Sequence, residues 1–299
     1  MSYLIYHWSF DPFVIIAIIV AVWHEIGLAR LARSHPERTR PRRLRSLWFY
    51  AGLVVTLLAV ASPVQYEADR YFFVHMIQHL LLMFAAPTLI VAGAPWQPLL
   101  DGLPGRARAA LATGGWARPL RAAVGWLRRP WVSVAVFNFV MLFWHIPGPL
   151  DLSVDNQAVR IWLLHSSFLI AGVLFWLQFI PSPPLRMRMS PEAQAAALVV
   201  TNVIMWILAM AMSIMTQVSW YAVYDHVPGV TLAPFADQQI GAGILWVCGD
   251  FWAIPTLIVV VRRIMEADGG LGASLDRILG RDKPGTGAAG GSWASRAGR

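Results

Sequence analysis

The residues best equipped for chemistry in this chain are histidines set in apolar surroundings. In the stretch YFFVHMIQHLLLMFAAPTLIVAGAP, His75, His79 and Met83 follow one another at four-residue steps, so on a helix they line one stripe. An imidazole pair with that spacing can hold a metal ion, and the thioether can join it. His145 ends the run FNFVMLFWH and His165 follows in LLHSSFL; helices of suitable length and direction bring both to the depth of the first pair. Asp237, in ADQQIGAGILWVCGD, sits at the rim and is expected to help a cation reach the site. Imidazole and thioether, without thiolates or a carboxylate cage, suit copper or haem iron better than magnesium or calcium, and zinc also accepts imidazole. A b-type haem is the alternative cofactor, because bis-imidazole ligation needs one ring from each of two helices.

A second set of polar residues falls deeper. His24 and Glu25, in AVWHEIG, and Asp250, in VCGDFW, share a level near the middle of their apolar runs. A lone carboxylate in hydrocarbon is costly, so these three are expected to form one buried network, serving as a structural pair or as a proton or ion relay. The plainer reading of every such histidine is a hydrogen bond between helices, and of the many methionines, adaptable packing.

The positioning elements follow from composition. The chain is 57% hydrophobic and 13% charged over 299 residues, too apolar for water to be its main solvent. Apolar runs long enough to cross a bilayer fall near 12–30, 46–64, 72–94, 131–147, 159–180, 194–217 and 239–262, which predicts an all-α, seven-helix membrane domain over residues 1–266. The connections alternate in charge: 22 of the 24 basic residues fall in 30–45, 95–130, 181–193 and 262–299, leaving Arg70 and Arg160 for the other side. By the positive-inside rule the N-terminus is outside and the C-terminus cytoplasmic, and the histidines lie near the outer face. The same clustering explains the net charge of +8 without a nucleic-acid partner. Residues 267–299, rich in Gly, Ala, Ser and Arg, are expected to form a flexible cytoplasmic tail. The Arg-and-apolar interleaving of RARAALATGGWARPLRAAVGWLRR predicts an amphipathic helix against the bilayer. No cleaved leader is expected, and the single cysteine, Cys248, excludes a disulfide within the chain.

Taken together, HMIQHLLLMFAAPTLIVAGAP, FWHIPGPLD, LLHSSFLIAGVLFW and ADQQIGAGILWVCGD resemble the CtaG-type bacterial cytochrome c oxidase assembly factors over roughly residues 45–262. The resemblance implies a seven-helix protein of the bacterial inner (plasma) membrane that helps to mature the haem–copper oxidase by holding or delivering copper. Its partners would be oxidase subunits, the lipid bilayer and other copper chaperones. His75, His79, His145 and His165 fall on the family's motif histidines, and Asp237, Gln238, Trp246 and Asp250 on its last-helix motif. No CxC pair is present, so a cysteine relay of the kind used by soluble copper chaperones is not expected. No nucleophile–base pairing or phosphate loop suggests an enzyme. Competing readings are a haem-binding redox protein, a transporter coupled through the midplane carboxylates, and a scaffold whose histidines only join helices.

Overall fold

The computed structural model describes residues 7–34 and 36–267; the tail expected beyond that point lies outside the described residues. The long helices are α1 (Pro12–Ser34), α2 (Pro36–Ala61), α3 (Phe72–Gly93), α4 (Pro130–Trp144), α5 (Gln157–Trp176), α6 (Pro191–Ser213) and α7 (Pro234–Ala267). No β-strand occurs among the described residues. Prolines set many of these boundaries: Pro12, Pro63, Pro130, Pro147, Pro191 and Pro234 each open a helix, where a fixed φ helps and the missing N–H costs nothing.

Among the described residues six helices are long and apolar enough to cross a membrane, and a seventh span exists if α4 is counted with the helix Pro147–Asp155 that follows it at 73°. The run expected to cross at 131–147 therefore divides. Its helix stops at Trp144, His145 is the C-cap residue, and Ile146 is extended (φ −72°, ψ 133°) before Pro147 opens the next helix. A residue preceding proline is pushed out of the helical region, which accounts for the break. The other long helices overlie the remaining apolar runs; α2 starts ten residues before the run at 46–64, and α7 extends about five residues beyond each end of 239–262. Outward side chains on the spans are apolar, Ile18, Val54, Phe139, Ile170, Ile207 and Phe251 among them, as a lipid solvent requires.

The loop between α3 and α4 folds into short helices. Trp96–Gly102 packs on α1, whereas Arg118–Leu127 buries nothing and leaves Leu120, Val124 and Trp126 exposed. On a helical wheel Leu120, Ala123 and Leu127 lie opposite Arg118 and Arg121, so the amphipathic pattern read in this loop is realised over one short helix.

The main core joins Phe84, Phe137, Phe168, Phe175 and Trp176, and a second cluster joins Phe72, Met76, Leu150, Met212, Tyr221 and Tyr224 at the end of the bundle that holds the histidines. Close helix approach there depends on glycine. A Cβ on Gly172 of α5 would stand 2.6 Å from the Met83 carbonyl oxygen of α3, and one on Gly241 of α7 would stand 2.7 Å from the Phe72 ring; both distances are far inside van der Waals contact. Polar bonds tie the same end together. Arg160 pairs with Asp69 at 2.7 Å, Gln65 donates to Asp69 at 2.9 Å, and Gln78 donates to Gln65 at 2.7 Å and to the Ala59 carbonyl at 2.8 Å.

The start of α3 has no cap of its own, since Tyr71 offers no side-chain acceptor. Asp237 of α7 supplies one, taking the Phe72 N–H on Oδ2 at 2.7 Å and the Phe73 N–H on Oδ1 at 2.8 Å. Asp237→Ala should thus cost about 1–2 kcal/mol, read as a lower midpoint of thermal unfolding in detergent. A second prediction concerns Asp69, which lies between the spans. Burial raises its carboxyl to about 6, outweighing the lowering by Arg160 and Gln65. A carboxyl with a raised folded-state value binds its proton more tightly when folded, so stability is lost as pH rises through that window. The difference in unfolding midpoint between the native chain and Asp69→Asn should fall from about pH 4 to about pH 6 and be level above pH 7; a rise over that interval would mean that the Arg160 pair dominates instead.

Candidate metal centre

Four histidines meet where α3, α5 and the end of α4 converge. His75, His79, His145 and His165 are 1%, 4%, 3% and 0% exposed. The His75 and His79 rings have centroids 4.3 Å apart, and His79 and His145 are 5.5 Å apart. His165 is within electrostatic reach of His79 and of His75. Phe168 meets the His79 ring edge-on at 4.4 Å, and Phe13 stands 6.4 Å from His165. Aromatic rings thus line two sides of the buried cluster.

Hydrogen bonding fixes two of the four tautomers. The Tyr224 hydroxyl donates to the Ala68 carbonyl at 2.9 Å and stands 2.9 Å from His75 Nδ1. A hydroxyl has one proton to give, so His75 must be the donor at Nδ1, and its lone pair is on Nε2. His145 Nδ1 stands 2.6 Å from the Met141 carbonyl, which can only accept, so its lone pair is also on Nε2. Both Nε2 atoms are buried and unpartnered, as are both nitrogens of His79 and of His165. An unsatisfied buried polar atom costs about 1–3 kcal/mol, and six ring nitrogens in one place are a departure from the usual full pairing of interiors. Imidazoles anchored through one nitrogen with the other bare are the usual arrangement of metal-binding histidine.

Two local irregularities accompany the rings. Residues Leu81–Ala85 of α3 form a π turn, directly after His79, and Arg160–His165 of α5 form another. Such turns hold one residue more than an α-helical turn and gather at functional sites. The first leaves the Met83 carbonyl open to the Trp176 indole N–H at 3.3 Å. Met83, expected to follow His79 on the same stripe, is buried in the main apolar core.

The segment after α6 closes over the histidines. Tyr221 donates to the His145 carbonyl at 3.0 Å, next to Tyr224 on His75. Gln238 of α7 fastens this segment, accepting from Trp220 N–H at 2.7 Å and donating to the Met212 carbonyl at 2.7 Å. Gln239 donates to the Ser213 carbonyl at 3.1 Å. Asp237, expected to guide a cation, spends both oxygens on the backbone of α3. The two tyrosines and the π turns were not anticipated; SWYAVYDHVP reads as an ordinary loop, and nothing in LLMFA or RIWLLH marks a widened helix.

The expected network of His24, Glu25 and Asp250 divides into two. His24 Nδ1 bonds the Tyr50 hydroxyl at 3.0 Å, and Tyr50 donates to Glu25. Asp250 bonds Asn202 and Trp206 of α6. Met83 and Asp237 thus have structural partners, and among the described residues no group of three or more His, Cys, Asp or Glu side chains is arranged to hold a metal ion.

The sequence pattern of the cytochrome c oxidase caa3 assembly factors (Caa3_CtaG) matches residues 22–267. An uncharacterized protein of Mycobacterium leprae is 26% identical over 269 residues, 87% of this chain and 39% of the relative. Uncharacterized proteins of Mycobacterium bovis and Mycobacterium tuberculosis are each 25% identical over 282 residues, 92% of this chain and 42% of theirs. The chain thus spans about two-fifths of the length of these relatives. No solved structure matches it. A pattern that runs through nearly the whole helical domain, histidines and last-helix motif included, assigns the chain to a family: it belongs to the cytochrome c oxidase caa3 assembly factors.

Proposed function

We propose that this protein carries a copper ion for the maturation of a haem–copper oxidase, binding it among His75, His79, His145 and His165 and passing it to an oxidase subunit by ligand exchange. The observation that carries the reading is the set of buried, unpartnered ring nitrogens, two of them with lone pairs fixed by Tyr224 and by the Met141 carbonyl. Neutral imidazole suits copper. His75 and His79, nearest to one another, provide the first two ligands, and His145 or His165 completes the set as the ion settles. A carrier must release its ion, so a set of ligands not locked in a closed cage suits cargo better than a permanent cofactor.

The charge bias of the connecting loops supports an orientation with the C-terminus in the cytoplasm of a bacterium and the histidine end toward the outer face of its plasma membrane. Copper would then be received from another chaperone and released to the oxidase on that outer side. The role is one of assembly, without catalytic turnover. Copper is favoured over haem b because His75 and His79 pack ring against ring, with Phe168 against His79, whereas a porphyrin needs a flat slot between its two ligands. A transporter coupled through midplane carboxylates is disfavoured, since Glu25 and Asp250 have separate partners.

Protein purified in detergent from copper-fed cells should be free of a Soret band and contain copper, which His75→Ala and His79→Ala should each remove, together with most of the oxidase activity of the membranes. Copper-free native protein and oxidase activity indifferent to both substitutions would overturn the reading, and stoichiometric iron with a Soret band would replace copper by haem. Tyr224→Phe should weaken copper binding about tenfold, the lower end of the usual effect of losing a histidine's orienting partner. Competition with a copper chelator measures that change, and ring-nitrogen NMR should find the His75 proton no longer confined to Nδ1.

A further inference from the structure

Asp250 lies at the centre of α7, sixteen residues from each end of the span Pro234–Glu266, or about 24 Å along the helix. It belongs to a surface remote in function from the histidines. Asn202 donates to its Oδ1 at 2.9 Å and Trp206 donates to the same oxygen at 3.1 Å. Among the described residues Oδ2 receives no hydrogen bond, and it is not among the buried unpartnered atoms. One carboxylate oxygen is therefore held in place by α6 while the other is presented at the bundle surface.

The surroundings form a packing seam. Gly243, Val247, Asp250 and Ile254 recur at spacings of four, three and four, the repeat by which one helix receives another. Val247 and Ile254 are 67% and 56% exposed, and a Cβ at Gly243 would meet no neighbour, so a second backbone can come close there. Beside the seam, Phe251, Val203 and Ile207 are exposed as well. Lipid alone would suit the apolar side chains, but it offers no hydrogen-bond partner to the free carboxyl oxygen.

We infer that this face of α6 and α7 docks a transmembrane helix of a different protein, one that brings a lysine or arginine to Asp250 at mid-membrane depth. Charge complementarity selects the partner. A second copy meeting this face about a two-fold axis would set Asp250 against Asp250, and no lysine or arginine of this chain lies at that depth in a span. The inference stands apart from copper binding and would survive its failure.

The test uses the full chain in bicelles with two synthetic transmembrane peptides of leucine and alanine, one with a single central lysine and one with leucine in its place. Energy transfer between labels on protein and peptide should report binding of the lysine peptide at least tenfold tighter than the leucine peptide. The preference should vanish in Asp250→Asn, in which Asn202 and Trp206 can still donate to the amide oxygen and the unfolding midpoint should stay near that of the native chain. Gly243→Leu, which fills the seam but keeps the carboxylate, should weaken the lysine peptide as well. Equal binding of both peptides to the native chain overturns the inference. So does energy transfer between two labelled copies that Gly243→Leu abolishes, because the occupant would then be a second copy.

Discussion

A hydroxyl group can give away one proton, and the Tyr224 hydroxyl gives its proton to the Ala68 carbonyl. From that constraint the arrangement of the histidine site follows. His75 must donate to Tyr224, its second nitrogen must carry the lone pair, and that lone pair must point into an interior already holding three other imidazoles. His145 obeys the same logic through the Met141 carbonyl. The fold spends two tyrosines, a glutamine and a helix cap on holding rings whose remaining nitrogens it then leaves bare. In the proposed reading, a bound ion is what completes the bonding of these nitrogens.

The last-helix motif gains a different meaning from the geometry. Asp237, Gln238 and Gln239 look like a polar mouth when read along the chain, yet each is committed to backbone: Asp237 to the start of α3, Gln238 and Gln239 to the segment that follows α6. They brace the elements around the histidines. The polar residues singled out in this sequence therefore include some that face the histidine cluster and some that hold its frame, and sequence alone does not separate the two roles.

What could be read beforehand followed from solvent and periodicity. Apolar runs gave the helices, because lipid demands continuous apolar stretches. Four-residue spacing brought His75 and His79 together, since a regular turn is a local property. The failures were non-local or depended on a departure from regularity. Asp250 faces Asn202 and Trp206 rather than Glu25 because depth along a helix says nothing about rotation around it. The two π turns went unread because such turns have no residue signature. Tyr224 reaches His75 across 149 positions of chain, a contact for which neither residue's neighbours offer a hint. His145 ends a helix instead of lying within one because Ile146 precedes a proline, which the sequence does display.

The two widened turns bear on how much change this architecture can absorb. α3, with His75 and His79, and α5, with His165, each contain a surplus residue relative to a regular helix of the same rise. Removing one amino acid from Leu81–Ala85 or from Arg160–His165 would let that helix become regular while the parts on either side of the turn nearly keep their mutual aim. The same deletion in a regular turn would rotate everything beyond it by about 100°, and glycine faces that now accept a neighbour's backbone would swing toward lipid. Single-residue deletions in these two helices among related sequences should therefore fall in the widened turns rather than outside them.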